Sequence, residues 1–238
     1  MEKLLRLDVG DRVAVAVVTE CSDGDIHPER VDVGTLRSRQ LELTGSLWMM
    51  LDEVHGVEIV DADDNIDGVG AAWPLAGVGD VLVADRSAQV LAVWAADCAP
   101  IALFGANGTA RVVAHGGWRG LADGVIDVAV DALESTGTSV AAAVLGPCIH
   151  ACCYEFGDAD LDRVAAGVGA PSGAVTATTA WGAGALDVPA AVAAGLARRG
   201  VALDVVGACT GCDRRFRSHR RRADLERHAL VVWFEERS

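Results

Sequence analysis

Between Val57 and Ala114 the chain runs through a closely spaced set of short apolar segments: Val57 to Val60, Asp80 to Ala84, Val90 to Ala95, Ile101 to Phe104 and Ala110 to Ala114. Turn-forming residues such as Ala106-Asn107-Gly108 separate several of them. Apolar runs of strand length joined by tight turns pair most readily as antiparallel neighbours. Arg12 to Thr19 has the same β-branched character and precedes a polar, helical stretch from Thr35 to Thr44 ended by Gly45. The chain is therefore expected to open with a strand followed by a helix. From Leu121 to Leu133, Leu121, Val125, Val128, Ala129, Ala132 and Leu133 recur at helical spacing with Asp123, Asp127 and Asp131 between them, the pattern of an amphipathic helix. A strand at Val140 to Leu145, a helix at Val188 to Arg198 closed by Gly200, and strands at Val201 to Val206 and Ala229 to Phe234 follow. Strands and helices mix without strict βαβ alternation, so the expected fold class is α+β. Gly167 to Gly184, rich in Gly, Ala, Ser and Thr, reads as a surface loop. No internal repeat or linker divides the chain, and a single domain over residues 1–238 is expected.

A formal charge of −14 argues against a nucleic-acid binder, whose affinity rests on neutralising phosphates with Lys and Arg. Charged residues and Gly interrupt the apolar runs before they reach the ~20 residues of a membrane span, and the N-terminal segment from Met1 to Asp8 lacks an export signal. Small-molecule partners and a cytoplasmic location are the resulting expectations. In that setting the seven cysteines read as thiols, metal ligands or nucleophiles before they read as disulfides.

Segments placing a metal-capable residue beside small neighbours stand out: Val54-His55-Gly56, Ala96-Asp97-Cys98-Ala99-Pro100, and Ala114-His115-Gly116-Gly117-Trp118-Arg119-Gly120. Two imidazoles and a thiolate suit zinc, and three protein ligands leave a fourth tetrahedral position for water or substrate. On spacing alone, a lone His or Cys is more often a packed or surface side chain than a metal ligand. Cys148, Cys152 and Cys153 read more readily as buried structural thiols than as nucleophiles, because no activating base is visible. Cys209-Thr210-Gly211-Cys212 lacks a second Cys-x-x-Cys pair, which disfavours a zinc ribbon and leaves a redox pair open. The basic run Arg214 to Arg222 reads mostly as a solvated face.

Taken together, these motifs resemble the YfiH-type family, also called the polyphenol-oxidase laccase-domain family. Val54-His55-Gly56 is similar to its Gln-Val-His-Gly segment, Ala96-Asp97-Cys98-Ala99-Pro100 to its Ala-Asp-Cys-x-Pro, and His115 to Gly120 to its His-Gly-Gly-Trp-Arg-Gly. Gly146-Pro147-Cys148-Ile149 with Cys152, Tyr154 and Glu155, and Cys209 with Ser218 and Arg220, extend the likeness in the correct order from about Arg39 onward. The resemblance implies one α+β domain of mixed sheets flanked by helices, with zinc held by His55, Cys98 and His115 as the catalytic centre. It implies phosphorolysis of adenosine, inosine, guanosine or methylthioadenosine, with deamination of adenosine as a further activity. Nucleoside and phosphate are then the partners. Arg39, Arg119 and Arg220 are the expected substrate or phosphate contacts, with a structural salt bridge as the competing role. Asp97 and Asp80 are candidates to orient a ligand, or to cap a turn.

The sequence departs from the family pattern at Val18 to Asp25, where Glu20 and Asp23 stand in place of a usual Thr-Thr-Arg-x-Gly-Gly loop, and at Glu53 and His219. The negative charges are expected to oppose anion binding if they face the site. Copper-dependent phenol oxidation is the weaker reading, because the chain has six histidines and no His-x-His pair, and only Met49 and Met50 could supply an axial thioether. Two further readings compete with phosphorolysis: a cysteine hydrolase that pairs Cys98 with His115 and acts on a cell-wall precursor, and a non-catalytic metal-binding regulator.

Overall fold

The computed structural model describes residues 1–64, 74–86 and 89–237. In chain order its strands are β1 (Glu2–Val9), β2 (Arg12–Val18), β3 (Trp48–Asp52), β4 (Ile59–Asp61), β5 (Leu75–Val78), β6 (Val81–Ala84) and β7 (Val90–Ala95). They continue as β8 (Ala99–Gly105), β9 (Arg111–Gly116), β10 (Val140–Leu145), β11 (Thr176–Thr178), β12 (Gly184–Leu186), β13 (Val205–Val206) and β14 (His228–Glu236). The helices are α1 (Val33–Thr44), α2 (Trp118–Ala122), α3 (Val125–Glu134), α4 (Asp158–Gly167), α5 (Val188–Arg198) and α6 (His219–Arg222).

One sheet has the order β1-β2-β14-β7-β3-β5 and a second the order β13-β10-β8-β9-β6-β4, with β11 and β12 forming a small separate hairpin. Both large sheets are mixed. Antiparallel pairs such as β8 with β9 occur beside parallel ones such as β3 with β7 and β4 with β6.

The two-residue period of the strands decides what each sheet face covers. Ala14 and Ala16 of β2, Leu91 and Val93 of β7 and Leu230 and Val232 of β14 meet Ala102 and Phe104 of β8 and Ala142 and Val144 of β10 in a core between the sheets. The alternate residues Val13, Val15, Val17, Val90, Ala92 and Val231 pack on the outer side with Leu36 of α1. On the second sheet, Ile101, Leu103, Val112 and Ala114 face outward against Ile126, Ala129, Val130 and Leu133 of α3 and Val192 and Leu196 of α5. The result is a four-layer α/β/β/α stack. Strands buried on both faces read as continuous apolar runs, which is why β2, β8 and β14 stood out in the sequence.

The α+β class and the mixed sheets expected from the sequence are present, while several local expectations need correction. The chain opens with a hairpin, not with a strand and a helix: β1 pairs antiparallel with β2, Val9 opposite Arg12 across Gly10-Asp11, with Gly10 at φ 62°. The helix expected from Leu121 to Leu133 is two helices, because Gly124 at φ 90° takes a left-handed conformation that breaks the first before α3 begins. The strand expected from Val201 to Val206 shortens to β13, two residues beside β10. Gly167 to Gly184 is not a bare loop: it carries β11 and the first residue of β12.

Candidate metal centre

His55 lies in the loop after β3, Cys98 in the tight connection between β7 and β8, and His115 on β9. Ala99 pairs with Gly116 and Pro100 with His115, so the β8–β9 ladder brings Cys98 alongside His115. One donor atom from each of His55, Cys98 and His115 falls within 4.8 Å of the others. Cys98 Sγ lies 3.9 Å from His55 Nε2, and the two imidazoles meet edge to face with centroids 4.7 Å apart. The three side chains grade from exposed His55 through half-buried Cys98 to buried His115, so the cluster opens outward on one side.

Asp80 fixes this arrangement. Its fully buried carboxylate accepts the backbone N–H of His55 at 2.9 Å through Oδ1 and that of Gly56 at 2.7 Å through Oδ2. The same Oδ1 stands 2.8 Å from His115 Nδ1, and the backbone N–H of His115 donates to the Asp80 carbonyl at 2.8 Å. A carboxylate accepting from Nδ1–H sets the tautomer and leaves His115 Nε2 as the available donor to a metal. Burial opposes ionisation of Asp80, but the His115 and backbone donors outweigh it and hold its carboxyl below the usual range.

Backbone conformation reinforces the placement. His55 adopts φ 64° and Asp97, beside Cys98, adopts φ 99°, both in the left-handed region that non-glycine residues rarely enter. The surroundings hold them there: Asp80 binds the His55 peptide, while Asp97 accepts Thr210 Oγ1–H and the Arg220 backbone N–H at 2.6 Å each. Asp97 thus anchors the loop carrying Cys98. Gly117 is needed for closeness, since a Cβ there would stand 2.7 Å from His55 Cδ2 and 3.5 Å from Cys98 Sγ.

Burial disfavours the Cys98 thiolate, yet His115 and His55 more than offset this and bring its pKa down to about 6. For buried His115 desolvation pulls the other way, but Glu53 and Cys98 raise its pKa overall. Burial pushes Glu53 up to about 8. Glu53 Oε1 accepts the Trp94 backbone N–H at 3.0 Å, and Oε2 lies 3.7 Å from His115 Nδ1 without a hydrogen bond.

These residues line a cavity of about 260 Å³ with walls of Glu53, His55, Trp94, Cys98, His115, His219 and Arg227. The arginines singled out from the sequence lie elsewhere. Arg39 donates to the Asp25 carbonyl at 2.5 Å, exposed Arg119 stacks on Trp118 at 4.7 Å, and Arg220 stacks on Tyr154 at 4.9 Å. Arg227 stands in the cavity wall instead, its guanidinium 5.8 Å from the Trp94 ring and bound to the Leu225 carbonyl at 2.8 Å. No motif marked Arg227 or Trp94; only their convergence from β7 and the approach to β14 reveals them. Glu20 and Asp23 are not in the wall: Glu20 pairs with Arg215 at 3.3 Å and Asp23 with the N-terminal amine at 2.9 Å. The basic run is also less free than expected, since Arg215 binds Asp213 at 2.7 Å and Arg222 binds Asp224 at 3.1 Å and the Thr210 carbonyl at 3.1 Å.

Two imidazoles and a low-pKa thiol, with one imidazole oriented by a carboxylate, fit a borderline-soft divalent cation; donors sharing one tetrahedral zinc stand roughly 3.5 Å apart. The fold and this donor set define a two-sheet α+β protein with a candidate mononuclear metal site. A family profile described as multi-copper polyphenol oxidoreductase laccase matches residues 22–235, and the chain belongs to that family, which includes the YfiH-type proteins. Among its relatives, a purine nucleoside phosphorylase of Xylella fastidiosa (strain 9a5c) is 36% identical over 205 residues, 83% of this chain and 76% of the relative. Purine nucleoside phosphorylase PA4543 of Pseudomonas aeruginosa is 32% identical, over 89% of this chain and 84% of its own. The YfiH crystal structure from Bacillus licheniformis superposes with a TM-score of 0.77 at 22% identity, covering 96% of this chain and 98% of that one. That of YlmD from Geobacillus stearothermophilus does so with a TM-score of 0.75 at 23% identity, covering 94% and 92%.

Proposed function

We propose that the chain is a zinc-dependent purine nucleoside phosphorylase with His55, Cys98 and His115 as metal ligands and catalytic centre. The observation that carries this reading is the convergence of the three donor atoms at the mouth of a cavity whose other walls suit a nucleoside. The names of relatives at 32% to 36% identity support the reaction class. Bound there, zinc would supply Lewis-acid stabilisation of an oxygen during the reaction.

The chain's own residues account for the rest. Trp94, packed by His27 at 4.7 Å and stacked toward His115 at 6.5 Å, gives the cavity an aromatic wall for a purine, and the Arg227 guanidinium offers N–H donors to phosphate or ribose oxygens. Asp80 holds the His115 ring and the His55 peptide in place before substrate arrives, so little reorganisation accompanies the reaction. In the net reaction a phosphate oxygen bonds to the anomeric carbon, the bond to the purine nitrogen breaks, and the base leaves with a proton. Adenosine, inosine, guanosine and methylthioadenosine are the substrates under this reading, with adenosine deamination as a side activity. Arg39, Arg119 and Arg220 remain substrate candidates only if closure around a ligand brings them inward. Among the described residues no helix is long and apolar enough to cross a membrane, and the cytoplasm is the proposed compartment.

Cys98 paired with His115, or with His55 at 3.9 Å, also permits a second reading, a thiol hydrolase. The deciding experiment is metal analysis of the purified protein with a nucleoside panel run with and without phosphate. Free base with ribose phosphate, lost on chelation and restored by zinc, is the expected result. Activity that survives chelation but not alkylation of Cys98 favours the hydrolase, and retained metal without turnover of any nucleoside overturns the phosphorylase reading.

A further inference from the structure

Cys152, Cys153, Cys209 and Cys212 converge on a second point, their sulfurs all within 4.8 Å of one another. The separations are 3.8 Å between Cys152 and Cys153, 3.7 Å between Cys152 and Cys209, 3.5 Å between Cys152 and Cys212, and 3.4 Å between Cys153 and Cys212. These exceed the ~2.05 Å of a disulfide. They match the edge of a tetrahedron instead: four sulfurs at ~2.3 Å from one zinc ion stand ~3.8 Å apart.

The backbone around the thiols is shaped for this convergence. Cys152 and Cys153 occupy a short 3-10 turn after β10, Ala151–Cys153, and the Cys209–Cys212 loop lies against it. The Cys212 N–H donates to the Cys209 carbonyl at 3.1 Å, closing the loop so that both sulfurs face the turn. The His150 N–H stands 3.4 Å from Cys209 Sγ, a donor suited to a thiolate. Gly211 admits the approach, because a Cβ there would lie 2.7 Å from Cys153 Cβ and 2.9 Å from its sulfur. Arg221 is the nearby cation, with its Cγ 2.9 Å from the same Cβ position and its guanidinium stacked 5.0 Å from the Trp181 ring. Cys153 and Cys209 are buried while Cys212 is exposed, which leaves an entry route for an ion.

We propose that these four cysteines form a closed tetrathiolate site for a structural zinc ion, separate from the His55, Cys98 and His115 centre. Four sulfur donors and tetrahedral spacing select zinc over harder cations. Binding replaces four S–H protons, which pass to solvent, with four zinc–sulfur bonds and requires no oxidant or reductant. The cross-link joins the segment after β10 to the segment before α6. Thr210 lies within the Cys loop and donates its hydroxyl to Asp97, so the ion also braces the peptide carrying Cys98.

The test uses the full chain carrying His55→Ala and His115→Ala, which removes the first centre. One zinc per chain, and cobalt loading that gives the intense long-wavelength bands of a tetrathiolate, is the expected result. Adding Cys152→Ser and Cys212→Ser should lower zinc to none. Because those serines could disturb folding, thiol titration of the unaltered cysteines gives an independent readout: the four sulfurs should resist alkylation until a chelator is added. A zinc-free chain with freely reactive thiols, a mass deficit revealing a disulfide, or iron in place of zinc would each overturn the assignment.

Discussion

Cys98 stands between two imidazoles at the edge of a cavity, whereas Cys152, Cys153, Cys209 and Cys212 stand against one another beneath a closed loop. In the first region the donors come from elements far apart in sequence, and one acidic side chain, Asp80, ties two of them together. In the second, neighbouring residues on two short turns supply all the donors, and backbone N–H groups do the tying. Three donors with an open side suit chemistry, while four donors without one suit cross-linking. The same residue type thus serves opposite ends according to how many partners surround it.

The largest effect that could separate the two regions is His115→Ala. Losing several kcal/mol of electrostatic stabilisation is expected to cut phosphorolysis about 10³-fold while the cobalt spectrum of the four-cysteine cluster stays unchanged. Coupled loss of both signals would break the comparison. Asp80→Ala sharpens it: the His55 and Gly56 peptides and the His115 ring lose their shared acceptor, with an expected cost of about 3 kcal/mol by urea denaturation. Metal affinity at the first centre should fall ~10- to 100-fold, as competition with a chromophoric chelator would measure.

His228 links the surroundings of both regions, with Nδ1 accepting the Arg217 N–H at 3.2 Å and Nε2 at 3.3 Å from the Pro147 carbonyl. Burial lowers its pKa to about 4, with Asp97 opposing that shift and Arg227 and Arg217 adding to it. The folded chain therefore resists a proton that the unfolded chain takes up near pH 6.5. Its contribution is present above that pH and lost as pH falls toward 4, by at most about 3 kcal/mol. Denaturant midpoints at pH 7 and pH 4.5 should differ less in His228→Asn than in the parent. The smallest expected effect belongs to Arg227→Met, which keeps an aliphatic side chain in the cavity wall but removes the charge. KM should rise about tenfold, near 1.4 kcal/mol, with kcat held, and equal loss in kcat would move Arg227 from binding to chemistry.

Much of this architecture was legible because strands buried on both faces announce themselves: β2, β7, β10 and β14 coincide closely with apolar runs in the sequence. β1 escapes the sequence reading because its alternation of Leu and charged residues is confined to Leu5 to Asp8 on an edge strand, and its signal lies in the Gly10-Asp11 turn. The spatial meeting of His55, Cys98 and His115 was expected from motif resemblance, since nothing in their spacing forces it. The Cys209-x-x-Cys212 pair seemed solitary because its partners are adjacent residues, Cys152-Cys153, and not a second pair of the same spacing. Arg227 and Trp94 carry no local signature, because a cavity wall is a property of packing.

β14 lies in the interior of its sheet, hydrogen-bonded to β2 on one side and β7 on the other. Until residues 228–236 have left the ribosome, both neighbours expose unpaired edges and the cavity lacks Arg227. Assembly of the sheet must therefore wait for these residues to emerge, and until then the unpaired strand edges of the nascent chain invite chaperone capture.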